Sequence, residues 1–239
     1  MAIKTRAIDY SHDGTALEGM LAYDDSVAGK RPAVIISHAW AGRTENEVAY
    51  AKKAAALGYA GFALDLYGKG VTGETTEQCQ KLMTPLAQNR PMLQARLLHI
   101  VDIVKALPEV DRTKVAAMGF CFGGLCALDI ARAGGDVRGV ASFHGLFTPP
   151  GNTANKKIKA KVVAYHGWDD PMGKPDAVVA FAKEMTDARV DWQVHAYGGT
   201  MHAFTNPNAN DPSFGTVYNK VAADRSWASF TAFLKECFA

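Results

Sequence analysis

The chain of 239 residues carries only four cysteines, Cys79, Cys121, Cys126 and Cys237, and no C-x-x-C pair. So few thiols cannot staple a fold of this size, and their spacing matches neither a zinc site nor a paired redox motif. Charge of one sign is also missing: 26 basic against 24 acidic residues leave a net +2, which gives no electrostatic case for nucleic acid or an anionic membrane as partner. No apolar run approaches the roughly 18 residues of a membrane span. Met1-Ala-Ile-Lys-Thr-Arg6 lacks the apolar stretch of a signal peptide. No internal repeat, low-complexity tract or linker divides the chain, so residues 1–239 are expected to form one domain. A cytoplasmic, reducing location is expected, with no metal and no cofactor, as a monomer or homodimer.

What is present is an ordinary globular composition, 48% hydrophobic and 21% charged, enough for a sizeable core. Ile3–Tyr10 and Thr15–Tyr23 flank the turn signal His12-Asp13-Gly14 and read as an antiparallel hairpin. Continuous apolar runs then alternate with helical patterns, as in a parallel sheet buried on both faces. Strands are predicted at 32–37, 59–65, 115–118, 137–143, 161–166 and 190–197. Helices are predicted at 45–57, 74–107 with interruptions at Pro85 and Pro91, 175–187 and 217–236, with another after the third of these strands. Val110-Asp-Arg-Thr-Lys114 reads as a turn, and the basic run Lys156–Lys161 as a solvated loop leading into a strand. The fold class is therefore α/β: a mainly parallel central sheet of about eight strands with helices on both faces. Ligand sites in such sheets lie at the C-terminal ends of the strands, where the richest loops here fall.

One stretch organises the rest. Gly119-Phe-Cys-Phe-Gly123 follows an apolar strand and runs directly into a helical pattern, which is the nucleophile-elbow arrangement with cysteine in place of serine. Small residues two before and two after Cys121 are needed because the tight turn brings backbone against it. The N-terminus of the following helix favours a thiolate there. A thiol nucleophile needs a histidine base, and that base needs a carboxylate to orient it. In the order nucleophile, acid, histidine, the carboxylate comes from His166-Gly-Trp-Asp-Asp170-Pro and the histidine from Gly199-Thr-Met-His202-Ala-Phe, each after a predicted strand. Asp170, just before Pro171, is favoured over Asp169, which reads as turn chemistry.

The elbow, the Asp65-Leu-Tyr-Gly68 loop, His166-Gly-x-x-Asp170 and His202-Ala-Phe204 together resemble the dienelactone hydrolase family of cysteine α/β-hydrolases, from about Thr15 to Phe233. The resemblance implies an α/β-hydrolase fold and a Cys121, His202, Asp170 triad that hydrolyses a small ester, thioester or lactone through an acyl-thioester. It also implies an oxyanion hole from the backbone N–H groups of Phe122 and Trp40. Two positions depart from the family pattern. A glutamate near the first parallel strand, which interacts with the resting cysteine in the best-known members, is replaced by Ala39, with His38 or Glu45 as nearby substitutes. An arginine that holds a substrate carboxylate is replaced by Asn206, which cannot supply its charged fork.

His38, Ala39, Tyr67, His144, Trp168 and Phe204 stand on the same loops and are candidates to line a substrate pocket. Ligand spacing among the histidines matches no zinc pattern, and Cys126 reads as a small core residue. The alternative function is a hydrolase-fold protein that binds a small molecule without turning it over. A Cys121–Cys126 redox pair is disfavoured, since five residues along one helix put the thiols on different faces.

Overall fold

The computed structural model describes residues 2–153 and 156–239. The hairpin forms as β1 (Ile3–His12) and β2 (Thr15–Asp24), antiparallel. Alternation then begins: β3 (Arg31–Ser37), α1 (Glu45–Ala56), β4 (Ala60–Ala63), α2 (Thr76–Gln88), α3 (Arg90–Ala106), β5 (Val110–Phe120), α4 (Phe122–Arg132), β6 (Gly139–Phe143), β7 (Lys161–Gly167), α5 (Pro175–Asp187) and β8 (Trp192–Tyr197). A short ribbon, β9 (Asn210–Asp211) with β10 (Thr216–Val217), precedes the closing helix α6 (Lys220–Phe238). The large sheet has eight strands in the order β1-β2-β4-β3-β5-β6-β7-β8. It is parallel from β4 to β8, with β1 and β2 antiparallel at one edge.

Burial on both faces explains the unbroken apolar runs. Ala33, Ile35, Ala117, Val140 and Ala164 point into a core shared with α3, α4 and α5. Their neighbours in sequence, Val34, Ile36, Met118, Ala141 and Tyr165, point into a second core under α1 and α6. With a side-chain period of two, only a strand apolar at every position can serve both layers.

Three expectations from sequence are corrected. Val110–Lys114 is not a turn but the start of β5, where Arg31 pairs with Val110 and the register shifts before Ala33 pairs with Val115. Pro85 does not interrupt the helix; it lies inside α2. The break falls at Asn89, whose side chain caps α3 by accepting from the Met92 N–H, and Pro91 occupies the first turn, where a missing N–H costs no helical bond. The closing helix does not start at residue 217, because Thr216–Val217 forms β10 and α6 begins at Lys220, capped by the Asn219 side chain.

A buried ionic cluster ties the helices of one face together. Asp129 on α4 accepts from Arg90 at the start of α3, with Nε to Oδ2 at 2.6 Å, and neither residue is exposed to solvent. Arg132 on α4 donates to Glu184 on α5 and to the carbonyl of Phe147, so the loop after β6 is fastened to the same cluster. Removing one partner of such a pair leaves a buried charge without a counterpart. Asp129→Ala is therefore expected to lower the unfolding free energy by about 3–5 kcal/mol, read as a shift in the urea midpoint; a change below about 1 kcal/mol would contradict this role.

Candidate active site

β5 ends at Phe120 and α4 begins at Phe122, so Cys121 alone makes the turn, at φ 55° and ψ −116°. A non-glycine residue in the left-handed region is strained by about 1–3 kcal/mol, and the surroundings hold it. The Cys121 N–H donates to the Phe143 carbonyl at 3.0 Å, and its own carbonyl accepts from Gly124 N–H at 2.9 Å. The two flanking glycines are sterically required. A Cβ on Gly119 would lie 2.0 Å from the Gly123 carbonyl oxygen, and one on Gly123 would lie 2.2 Å from that of Ser37.

Asp170 is buried in the loop after β7, and its Oδ2 accepts from His202 Nδ1 at 2.7 Å. Its Oδ1 accepts from the Met172 N–H at 2.8 Å, so the carboxylate is held at both oxygens. Asp169 is an exposed turn residue whose N–H donates to Thr200. His166 closes the same loop, donating from Nε2 to the Gly173 carbonyl at 2.7 Å. The backbone of His202 is pinned by the ribbon: its N–H donates to Gly215 at 2.9 Å and its carbonyl accepts from Val217 N–H at 3.1 Å. Gly215 itself stands at φ 84°, and a Cβ there would lie 2.2 Å from Pro171 Cγ, so ribbon and acid loop fit only through a glycine.

With Nδ1 engaged, His202 Nε2 is buried and has no hydrogen-bond partner among the described residues. Burial works to lower the basicity of this ring, but the Cys121 charge beside it, the Asp170 hydrogen bond and the Asp170 charge outweigh that and push its pKa up to about 10. The sulfur is thus beside the ring. Cys121 and His202 face one cavity of about 290 Å³.

The loop after β3 forms another wall. Tyr67 Oη donates to the Trp40 carbonyl at 2.9 Å. The backbone of Tyr67 is fixed in turn by Asp65, whose Oδ1 accepts from the N–H groups of Tyr67 and Gly68 at 2.9 and 3.1 Å. The Asp65-Leu-Tyr-Gly68 motif is therefore a strut under Trp40. Neither the Trp40 N–H nor the Phe122 N–H meets an acceptor among the described residues.

Of the six pocket candidates, Ala39 and His144 line the cavity. The other four do not. His38 is fully buried, donating from Nδ1 to the Ala39 carbonyl at 2.6 Å and accepting at Nε2 from the Leu66 N–H at 3.2 Å, which fixes a neutral tautomer. Tyr67 lies behind the Trp40 loop, against His38 and Phe122. Phe204 is buried behind His144, 5.2 Å between ring centres. Trp168 is 43% exposed, away from the cavity. Neither His38 nor Glu45 reaches the cavity wall, so no carboxylate takes the place left by Ala39 there. Sequence reasoning missed Met83, Leu146, Met172, Thr205 and Phe214, which line it from four different segments. Phe214, at the ribbon's turn, stacks on Trp40 with centroids 5.9 Å apart; the Asn-Asp-Pro-Ser-Phe-Gly stretch was the only sign of that turn. Among the described residues, no three His, Cys, Asp or Glu side chains are grouped to hold a metal ion, and no helix is long and apolar enough to cross a membrane.

The sequence profile described as "Dienelactone hydrolase family" matches residues 17–238. A protein of Aquifex aeolicus (strain VF5) named "Putative carboxymethylenebutenolidase" is 29% identical over 235 residues, covering 95% of this chain and 96% of that one. Two solved structures align over the full length of both chains. One, named m3DLH, is 34% identical with a TM-score of 0.94. The other, named as the dienelactone hydrolase-like promiscuous phosphotriesterase P91 from metagenomic libraries, is 31% identical with a TM-score of 0.93.

The buried histidines set an acid limit. Burial lowers the pKa of His38 and His166, and burial together with the neighbouring His202 lowers that of His144 well below the usual 6.5. The unfolded chain therefore binds protons at these rings below about pH 6.5 that the folded chain does not, so stability falls as pH falls. The raised His202 contributes its full stabilisation below that pH and does not offset the loss. Urea midpoints taken from pH 7.5 to 5 should decline below about 6.5, by up to about 1.4 kcal/mol per pH unit for each ring that stays neutral; a flat profile would refute this.

Proposed function

The chain belongs to the dienelactone hydrolase family and is a hydrolase, and we propose that it cleaves a small carboxylic ester, thioester or lactone through Cys121, His202 and Asp170. The observation that carries this reading is the His202–Asp170 hydrogen bond, which leaves a buried, unpartnered Nε2 on the cavity that Cys121 shares.

His202 Nε2 takes the proton of the Cys121 thiol, and the sulfur attacks the acyl carbon. The carbonyl electron pair moves onto oxygen, where the N–H groups of Phe122 and Trp40 receive the developing charge, each contributing about 3 kcal/mol. Collapse breaks the bond to the leaving group, which departs with the proton from His202 and leaves an acyl-thioester on Cys121. Water then gives a proton to Nε2 and attacks the thioester. The C–S bond breaks, the acid is released and Cys121 regains its proton. Asp170 fixes the tautomer and stabilises the imidazolium formed in each half. The raised basicity of His202 fits this part, because the ring carries charge easily beside a thiolate.

Mixing enzyme with p-nitrophenyl acetate should give a burst of nitrophenolate and a mass increase of one acetyl group on the intact protein, both absent in Cys121→Ala. Ester binding without Cys121-dependent release would instead support a binding protein. Tyr67→Phe removes the strut under Trp40 without touching substrate. It should lower kcat about 10-fold or more with little change in KM, since small misplacements of a donor are costly; an unchanged kcat would remove Trp40 from the scheme.

A further inference from the structure

The cavity at Cys121 has a particular wall. Its apolar side is built from Met83, Phe120, Leu146 and Met172. Its polar groups are the amides of Asn46, Gln80 and Asn206 and the hydroxyls of Thr205 and Thr216, all uncharged. The arginines on flanking elements are engaged elsewhere: Arg43 donates to the Glu18 carboxylate and carbonyl, Arg96 to the Leu66 carbonyl and Arg90 to Asp129. The one cation on the wall, the His202 ring, is already balanced by Asp170 at Nδ1 and by the charge of the Cys121 sulfur beside it. His144, kept neutral by burial and by His202, adds no cation. At about 290 Å³ the space is at the small end for ligand pockets.

A carboxylate entering this space would give up its hydration with no unpaired counter-charge to replace it, whereas an uncharged acyl chain gains apolar contact. We propose that the site selects small, uncharged acyl groups and discriminates against substrates with a carboxylate on the acyl side. This rests on the hydrolytic reading above and narrows it. The two free N–H groups near Cys121 do not contradict it, because they serve the charge that develops on the carbonyl oxygen during attack.

The test compares kcat/KM for p-nitrophenyl butyrate and the mono-p-nitrophenyl ester of succinate, which replaces the terminal methyl by a carboxylate. Each value is divided by the rate of the same ester with hydroxide. The butyrate should be favoured by about 100-fold or more. In Gln80→Arg, which places a guanidinium at an exposed helix position on the wall, the gap should narrow about 10-fold. Equal rates in the wild type, or preference for the anionic ester, would overturn the inference while Cys121-dependent turnover left the hydrolytic reading standing. An undiminished gap in Gln80→Arg would overturn charge as its cause. Loss of Cys121 dependence for both esters would instead remove the hydrolytic reading, and this inference with it.

Discussion

The site depends on how closely the junction of β5 and α4 approaches the end of β3. At Gly123 there is room for a hydrogen but not a methyl group, because the carbonyl oxygens of Ser37 and His38 lie 2.2 and 2.6 Å from where a Cβ would be. That approach does two things at once. It lets Cys121 stand above the sheet, and it brings the chain leaving β3 beside the first turn of α4, so Trp40 and Cys121 line one cavity. The residues that sit in the left-handed region without being glycine include Cys121, His144 and Ala203, all lining the same cavity. Strain of about 1–3 kcal/mol at each persists only where the surroundings over-determine it. Here the sheet ladder extends past the strand ends to do so: Cys121 N–H bonds to Phe143, and His144 N–H bonds to Tyr165 at 2.8 Å.

Much of this was legible in the sequence. The elbow, the acid and the histidine are local motifs at strand ends, and strand ends are marked by where apolar runs stop. Asp170 is set apart from Asp169 by its place just before Pro171 and four residues after His166, and it is Asp170 that bonds to His202. The pocket was far less legible, for a physical reason. Met83 on α2, Leu146 after β6, Met172 after the acid and Phe214 on the ribbon meet only through helix placement and loop paths, which no local pattern encodes. Four candidates, His38, Tyr67, Trp168 and Phe204, share the right loops yet point elsewhere, since residue type and loop membership do not fix side-chain direction. The β9–β10 ribbon escaped detection because two-residue strands carry no periodicity.

The parts that surround Cys121, His202 and Asp170 are joined more tightly than their separation in sequence suggests. Asp65 fixes Tyr67, Tyr67 fixes Trp40, and Trp40 stacks on Phe214. The ribbon carrying Phe214 holds the His202 backbone and touches Pro171 beside the acid. The same structure therefore shapes the entrance and sets the position of the histidine, so a change at the ribbon alters binding and chemistry together.

An uncharged wall also bears on how a turnover ends. Ester hydrolysis begins with a neutral molecule and finishes with an acid that ionises near pH 4. In a cavity whose one cation is already paired, such an anion is less stable than in water, so under the proposed reaction ionisation favours release of the product. A reaction of that kind would empty its own site, and the accumulated acid would compete only weakly with the next ester.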